Sequence, residues 1–132
     1  MRADIPPPFA STLGIKVIHY APDRVIAELP VRVELTNRNG NLHGGAVMAF
    51  ADDIGGAATI INLPEGMTTA TIESKTNFFA AIPVGDIAHA ECTALHRGRS
   101  TMVWQTRITR GDGKLAAIVT QTQMVLPGQW KK

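Results

Sequence analysis

Cysteine is almost absent from this chain, in which Cys92 is the only one. A single thiol cannot form an internal disulfide, so the chain is not a disulfide-stabilised scaffold. Cys92 lies between an alanine and a threonine in a strand-like run, which predicts a small buried hydrophobic residue. The histidines show no HxxxH spacing and there is no cluster of carboxylates, so we expect no metal.

Charge of one sign and aromatic side chains are also scarce. The net charge is only +2, and the chain has four Phe, two Trp and one Tyr. A nucleic-acid surface needs a basic patch, often with aromatic residues that stack on bases, so we expect no nucleic-acid partner. No apolar run follows the first arginine, which predicts no secretory signal and a cytoplasmic location.

No linker or repeat divides the sequence, and 132 residues are few enough for one domain, here residues 1–132. Alternation of apolar and polar residues predicts strands, and short turns between strands make them antiparallel neighbours. A short helix is expected over 9–13. The expected strands cover 15–20, 25–31, 68–79, 86–95, 101–109 and 115–126.

One long apolar segment, residues 43–61, predicts a helix that Pro64 ends. It is apolar on nearly every side, so we expect it to have no face toward water. It is long enough to span a membrane, but Asp52 and Asp53 at its centre would cost several kcal/mol in hydrocarbon, so we expect no membrane association. The prediction is an α+β hotdog fold, in which a long antiparallel sheet of five to six strands wraps around one central apolar helix.

The start of this helix can bind a carbonyl oxygen. Backbone N–H groups of the first turn lack partners within the helix, and the helix dipole adds partial positive charge there. Gly44 and Gly45, which follow His43, let a substrate approach this backbone closely. Alternatively, the two glycines only permit a tight junction between loop and helix.

Asp52 and Asp53 stand among Phe50, Ala51 and Ile54. Burial disfavours a charged carboxylate in such surroundings, which makes it a better base or nucleophile if it can ionise. Adjacent helical residues point about 100° apart, so the two carboxylates cannot have the same role. The alternative is that both are structural.

The distance between the helix start and the carboxylates predicts an assembly. Gly44 and Asp52 are eight residues apart, which is about 12 Å along a helix. Both must lie within about 3 Å of the reacting atoms to act on one carbonyl. Two antiparallel helices from two copies of the chain would bring them together, so we expect a homodimer with two shared sites.

The pattern Asn37-x-x-Gly40-x-Leu42-His43-Gly44-Gly45, followed by six residues and Asp52, resembles the signature of hotdog-fold acyl-CoA thioesterases of the phenylacetate-pathway (PaaI-like) type. Residues 71–79 and the turn at 97–99 are similar to later parts of that family. The resemblance implies hydrolysis of an acyl-CoA without a cofactor, and homodimers that often pair into dimers of dimers.

The resemblance also implies roles for single residues. Asp52 would attack the thioester directly or through water, and the N–H of Gly44 would polarise its carbonyl. Asn37 would place water or the carbonyl, and His43 would orient this corner. Thr71, or less favourably Thr69, would support the carboxylate, although strict alternation places Thr71 on the polar face of its strand.

Other residues are candidates for substrate contacts. Arg97 and Arg99, on either side of Gly98, would meet the phosphates of coenzyme A, or would only form a solvated hairpin tip. The acyl pocket is expected to be lined by Met48, Phe50, Phe78 and Phe79. Two alternatives remain open, a hotdog hydratase or dehydratase and a non-catalytic acyl-CoA-binding regulatory protein.

Overall fold

The computed structural model describes residues 5–128 and confirms the predicted helices and strands to within about one residue, apart from the end of the fourth strand, which extends to Arg97. A short 3-10 helix at Val33–Leu35 is the one added element among these residues. The helices are α1 and α2, and the strands are β1 to β6. In chain order they are α1 Pro8–Leu13, β1 Lys16–Ala21, β2 Arg24–Pro30, α2 Gly44–Asn62, β3 Met67–Phe78, β4 Ile87–Arg97, β5 Thr101–Thr109 and β6 Leu115–Pro127.

The six strands form one antiparallel sheet in the order β1-β2-β4-β5-β6-β3. The hairpins β1–β2 and β5–β6 are confirmed. The expectation that β3 and β4 are neighbours is wrong, because β3 pairs with β6 and β4 pairs with β2. The segment between them is tied to the loop before α2, where the N–H of Leu42 donates to the Ile82 carbonyl oxygen at 2.7 Å. Through this segment the chain passes from β3, at one edge of the sheet, to β4 in its interior.

Helix α2 lies across one face of this sheet, as the hotdog prediction requires. It is long and apolar enough to cross a membrane by length and composition, yet it packs against all six strands. The expectation that it has no face toward water is wrong for the single chain, because Met48 is 41% exposed and Gly45 and Asp52 are exposed beside it. One sheet covers only part of a helix's circumference. The buried residues of α2 are Val47, Phe50, Ala51, Ile54, Gly55, Ala58 and Thr59.

A β-bulge interrupts the alternation predicted for β3. Thr71 pairs with Gln123, but Glu73 pairs with Thr122, so Ile72 is an extra residue in the strand. Cross-strand partners lie on the same face of a sheet. Thr71 therefore faces α2 with Gln123, and Glu73 faces away, so the prediction from strict alternation that Thr71 lies on the polar face of its strand is wrong.

Cys92 is confirmed as a core residue. Its side chain is fully buried on β4, and burial raises the pKa of its thiol to about 11. The thiolate, which is the reactive form, is therefore disfavoured.

Candidate active site

The first turn of α2 differs in how its backbone N–H groups are bonded. His43 is the N-cap, and its Nδ1 accepts the N–H of Gly45 at 2.8 Å. The N–H of Gly44 has no acceptor within residues 5–128. Of the two glycines, Gly44 is therefore the one that can donate to a substrate, while His43 holds the turn in place.

Asn37 shapes the loop that leads into this helix. Its side-chain Oδ1 accepts the N–H groups of Asn39 at 3.0 Å and Asn41 at 3.2 Å. Gly40 adopts a left-handed conformation with φ of 76°, which closes the turn. The amide oxygen of Asn37 is thus used by the loop, and its NH₂ group is the part that remains for a water or a carbonyl.

A cavity of about 430 Å³ lies beside Gly44. The ring of Phe78 packs so closely that a Cβ on Gly44 would lie 3.4 Å from its Cζ. The expectation that Phe50 lines this pocket is wrong, since Phe50 is fully buried in the core, and Met48 lies on the exposed side of α2, outside the cavity. The lining includes Asn37, Asn39, Asn41, Leu42, Gly44, Val47, Phe78, Phe79, Ile82 and Ala117.

Asp52 is held through one of its two oxygens. Its Oδ1 accepts the hydroxyl of Thr71 at 2.7 Å and the side-chain amide of Gln121 at 3.3 Å. No donor within the described part of the chain contacts Oδ2. The bulge in β3 makes the Thr71 contact possible, because it turns Thr71 toward α2. The arrangement orients the carboxylate and leaves one oxygen for chemistry.

Two buried glutamines behind Asp52 were not anticipated from the sequence. The Nε2 of Gln123 donates to Thr71 Oγ1 at 2.6 Å, and Thr69 Oγ1 donates to Gln123 Oε1 at 2.9 Å. Gln121 and Gln123 are each only 1% exposed. Their spacing in the sequence could have identified them. In β6 they alternate with Val119 and Val125 on a face that is otherwise apolar.

A second cavity, of about 420 Å³, opens beside Asp52. It shares no lining residue with the cavity beside Gly44. Within one chain, the two groups predicted to act on the same carbonyl therefore face separate spaces, about 12 Å apart along α2. This second cavity is lined by Ile5, Pro6, Pro7, Ile15, Val17, Tyr20, Asp52, Asp53, Gly56, Ala57, Ile60, Thr69, Ala70, Thr71 and Gln123.

Asp53 faces the same cavity in different surroundings. Burial, and secondly the charge of Asp52, raise its pKa to about 6 from an ordinary value of 3.8. No hydrogen-bond donor from residues 5–128 contacts its carboxyl group. Asp53 is therefore a partly desolvated acid that titrates near neutral pH.

Arg97, Gly98 and Arg99 border a separate surface groove of about 700 Å³. Arg97 Nη1 donates to the Pro22 carbonyl oxygen at 3.1 Å and to Asn62 Oδ1 at 3.4 Å, which joins the β1–β2 turn to the end of α2. Arg99 is exposed. Within the described residues, no group of three His, Cys, Asp or Glu side chains is placed to hold a metal ion.

Comparison with known proteins gives consistent matches. The sequence profile of the thioesterase superfamily matches residues 39–117. A protein of Saccharolobus solfataricus, named as a candidate esterase, is 34% identical over 80% of this chain and 74% of its own. The crystal structure of a thioesterase from Haemophilus influenzae is 30% identical with a TM-score of 0.85, covering 90% of this chain and 82% of that one.

Two further crystal structures share the architecture. A hypothetical thioesterase from Streptococcus pneumoniae, solved with coenzyme A, is 25% identical with a TM-score of 0.79 and 88% coverage of both chains. The PaaI protein of the phenylacetic acid degradation operon of E. coli is 21% identical with a TM-score of 0.86, covering 93% of this chain and 87% of its own. At that identity the PaaI likeness concerns the fold.

Proposed function

This chain belongs to the thioesterase superfamily and is a thioester hydrolase, and we propose that it hydrolyses an acyl-CoA at a site shared by two copies of the chain. The reaction consumes water and releases the free acid and coenzyme A. The coenzyme A in the structure of the pneumococcal relative supports this class of substrate. The single observation that carries the proposal is the Asp52 carboxylate, anchored through Oδ1 at a cavity and open at Oδ2.

Asp52 drives the attack on the thioester carbonyl. Acting as a nucleophile, its free oxygen would form an acyl anhydride with loss of the CoA thiolate, and water would then cleave the anhydride. Acting as a base, it would take a proton from water that attacks the same carbon. In both routes negative charge develops on the carbonyl oxygen, and the N–H of Gly44 stabilises it.

The Gly44 that serves Asp52 belongs to a second copy of the chain. The separation of the two cavities supports this, as does the exposed stripe of α2 that carries Gly45, Met48 and Asp52. β3 is an edge strand, so two copies can pair through it into one continuous sheet. The dimer has two equivalent sites, and two such dimers form the tetramer that we propose.

The acyl group and the coenzyme A moiety of the substrate bind on different sides of the thioester in this proposal. Phe78 and Phe79, which border the cavity beside Gly44, offer an apolar surface to the acyl group. Arg99 and Arg97 offer guanidinium groups to the phosphates of coenzyme A. His43 and Asn37 hold the loop that presents Gly44.

Mixed dimers test the shared site. Asp52→Asn removes the carboxylate, and Gly44→Pro removes the N–H at a helix position where proline is tolerated. Each variant alone is expected to release CoA thiol slowly from a panel of acyl-CoA substrates. In mixed dimers one of the two sites is intact, so random mixing should restore about a quarter of the wild-type rate. No recovery, with mixing demonstrated by mass spectrometry, would contradict a site built from two chains.

A further inference from the structure

A directed chain of hydrogen bonds runs from the sheet to Asp52. Thr69 Oγ1 lies 2.9 Å from Gln123 Oε1, Gln123 Nε2 lies 2.6 Å from Thr71 Oγ1, and Thr71 Oγ1 lies 2.7 Å from Asp52 Oδ1. Thr69 Oγ1 is also 2.9 Å from the Met124 carbonyl oxygen, so its one proton is shared between two acceptors. These bonds link β3 and β6 to the middle of α2.

We propose that Gln123 is a positioning residue for the thioesterase reaction, which directs the Thr71 hydroxyl proton onto Asp52. The inference rests on the proposed role of Asp52. Gln123 is only 1% exposed, so it acts on the substrate through Thr71 and Asp52.

The direction of these hydrogen bonds depends on the number of protons that a threonine hydroxyl carries. Thr71 Oγ1 carries one proton and can accept from a neighbouring donor. The Gln123 Nε2 donor occupies the accepting side of this oxygen, so the proton must point elsewhere, and Asp52 Oδ1 is the acceptor in reach. With Gln123 turned by 180°, its Oε1 would compete with Asp52 for the single proton.

The orientation of the Gln123 amide is itself held by its neighbours. With Oε1 at the Thr69 hydroxyl and Nε2 at Thr71, both ends of the amide have a partner and the Thr71 proton has only Asp52 to bond. Burial keeps water from replacing either bond. The Asp52 carboxylate, which borders the cavity, is thereby fixed by Oδ1, while Oδ2 has no donor within residues 5–128 and is left to attack a carbonyl.

The test is a set of single and double variants measured for kcat and KM with one acyl-CoA. Gln123→Met keeps the length of the side chain and removes the donor. We expect kcat to fall about tenfold, with KM within about twofold of wild type, since one hydrogen bond that orients the attacking group is lost. Gln105→Met is the matched control, because Gln105 pairs with Thr120 on the opposite face of the sheet, and it should leave kcat unchanged.

Double variants distinguish positioning from packing. If Gln123 acts through Thr71, adding Gln123→Met to Thr71→Val should lower kcat no further than Thr71→Val alone. Additive losses in the two variants would overturn the proposal. Thr69→Val is a second probe that leaves Gln123 in place, should Gln123→Met fail to fold, and a several-fold loss that also disappears in the Thr71→Val background is expected.

The proposed function can fail separately from this inference. If Asp52→Asn keeps the wild-type rate, the role of Asp52 is wrong and the chain of hydrogen bonds has no catalytic target. If Asp52→Asn abolishes turnover while both Gln123→Met and Thr69→Val keep the wild-type kcat, the proposed function stands and the role of Gln123 is overturned.

Discussion

Asp52 and Asp53 are adjacent residues of one helix, yet the fold gives them opposite surroundings. The carboxylate of Asp52 accepts hydrogen bonds from Thr71 and Gln121. Asp53 has no donor within residues 5–128, and burial raises its pKa to about 6. The difference follows from the rotation of about 100° per helical residue, which turns one side chain toward the inner polar face of β3 and β6 and the other away from it.

Desolvation alone therefore does not identify the attacking group. Asp53 has the raised pKa that is common in active sites, but nothing in the described chain orients its carboxyl group. Asp52 is exposed in the single chain and is oriented by buried side chains. Orientation of the reacting oxygen favours Asp52, and the charge of Asp52 is itself a cause of the raised pKa of Asp53.

Replacement of the two carboxylates one at a time should give the greatest difference in activity. Asp52→Asn should lower kcat by about a thousandfold, because the amide can neither attack the thioester nor take a proton from water. Asp53→Asn should leave kcat at neutral pH within about threefold of wild type. The measurement is release of CoA thiol, with circular dichroism to show that both variants fold. The reverse result, with Asp53 essential and Asp52 dispensable, would move the site by one residue.

Much of the fold was predictable because its determinants are local in the sequence. The apolar segment before Pro64 predicted α2, and period-2 alternation predicted each strand of the sheet. The neighbours of β3 were not predictable, because β3 pairs with β6 and β4 pairs with β2, which lie far apart in the sequence. Pairing across such distances depends on tertiary packing.

Part of the candidate site was predictable because its residues are also close in the sequence. The helix start at Gly44 and the carboxylate of Asp52 belong to one segment, so their spacing could be read directly. Thr71 was expected as the partner of Asp52 only from the family resemblance. Alternation alone pointed the other way, since the contact with Thr71 depends on a bulge that leaves Ile72 unpaired. The roles assigned to Asp52, Gly44, Asn37 and His43 remain predictions.

Two neighbouring glycines test how the anchoring of Asp52 depends on close packing. A Cβ on Gly55 would lie 2.3 Å from the amide carbon of Gln121, while a Cβ on Gly56 would meet nothing within 4 Å. Gly55→Ala should therefore push Gln121 away from Asp52 and lower the free energy of unfolding by about 2 kcal/mol.

Gly56→Ala is the matched control for the same backbone change. It should raise the free energy of unfolding by up to about 1 kcal/mol, because alanine favours helix and the site has room. Denaturant unfolding of both variants at one protein concentration gives the comparison. Equal effects at the two positions would show that the Gln121 amide has space to retreat, and that its contact with Asp52 is dispensable for stability.

A modest effect is expected on the pH dependence of the free energy of unfolding. Asp53 has a pKa of about 6 in the folded chain against an ordinary value of 3.8. Between these values the unfolded chain loses the proton while the folded chain keeps it, so stability falls as pH rises through this window. Asp53→Asn should raise the free energy of unfolding by about 1–2 kcal/mol at pH 8, after allowance for partial solvent screening, and by almost nothing at pH 4.

The same measurement in the Asp52→Asn chain separates the two causes of the raised pKa of Asp53. The substitution removes the charge of Asp52 and keeps the burial. In that background the stabilisation from Asp53→Asn should be smaller, and it should reach its full size at lower pH, because the pKa of Asp53 in the folded chain is lower there. It should not vanish, since burial is the larger cause. An unchanged profile would mean that the two carboxylates do not interact, and a complete loss would mean that the charge of Asp52, and not burial, makes Asp53 a weaker acid.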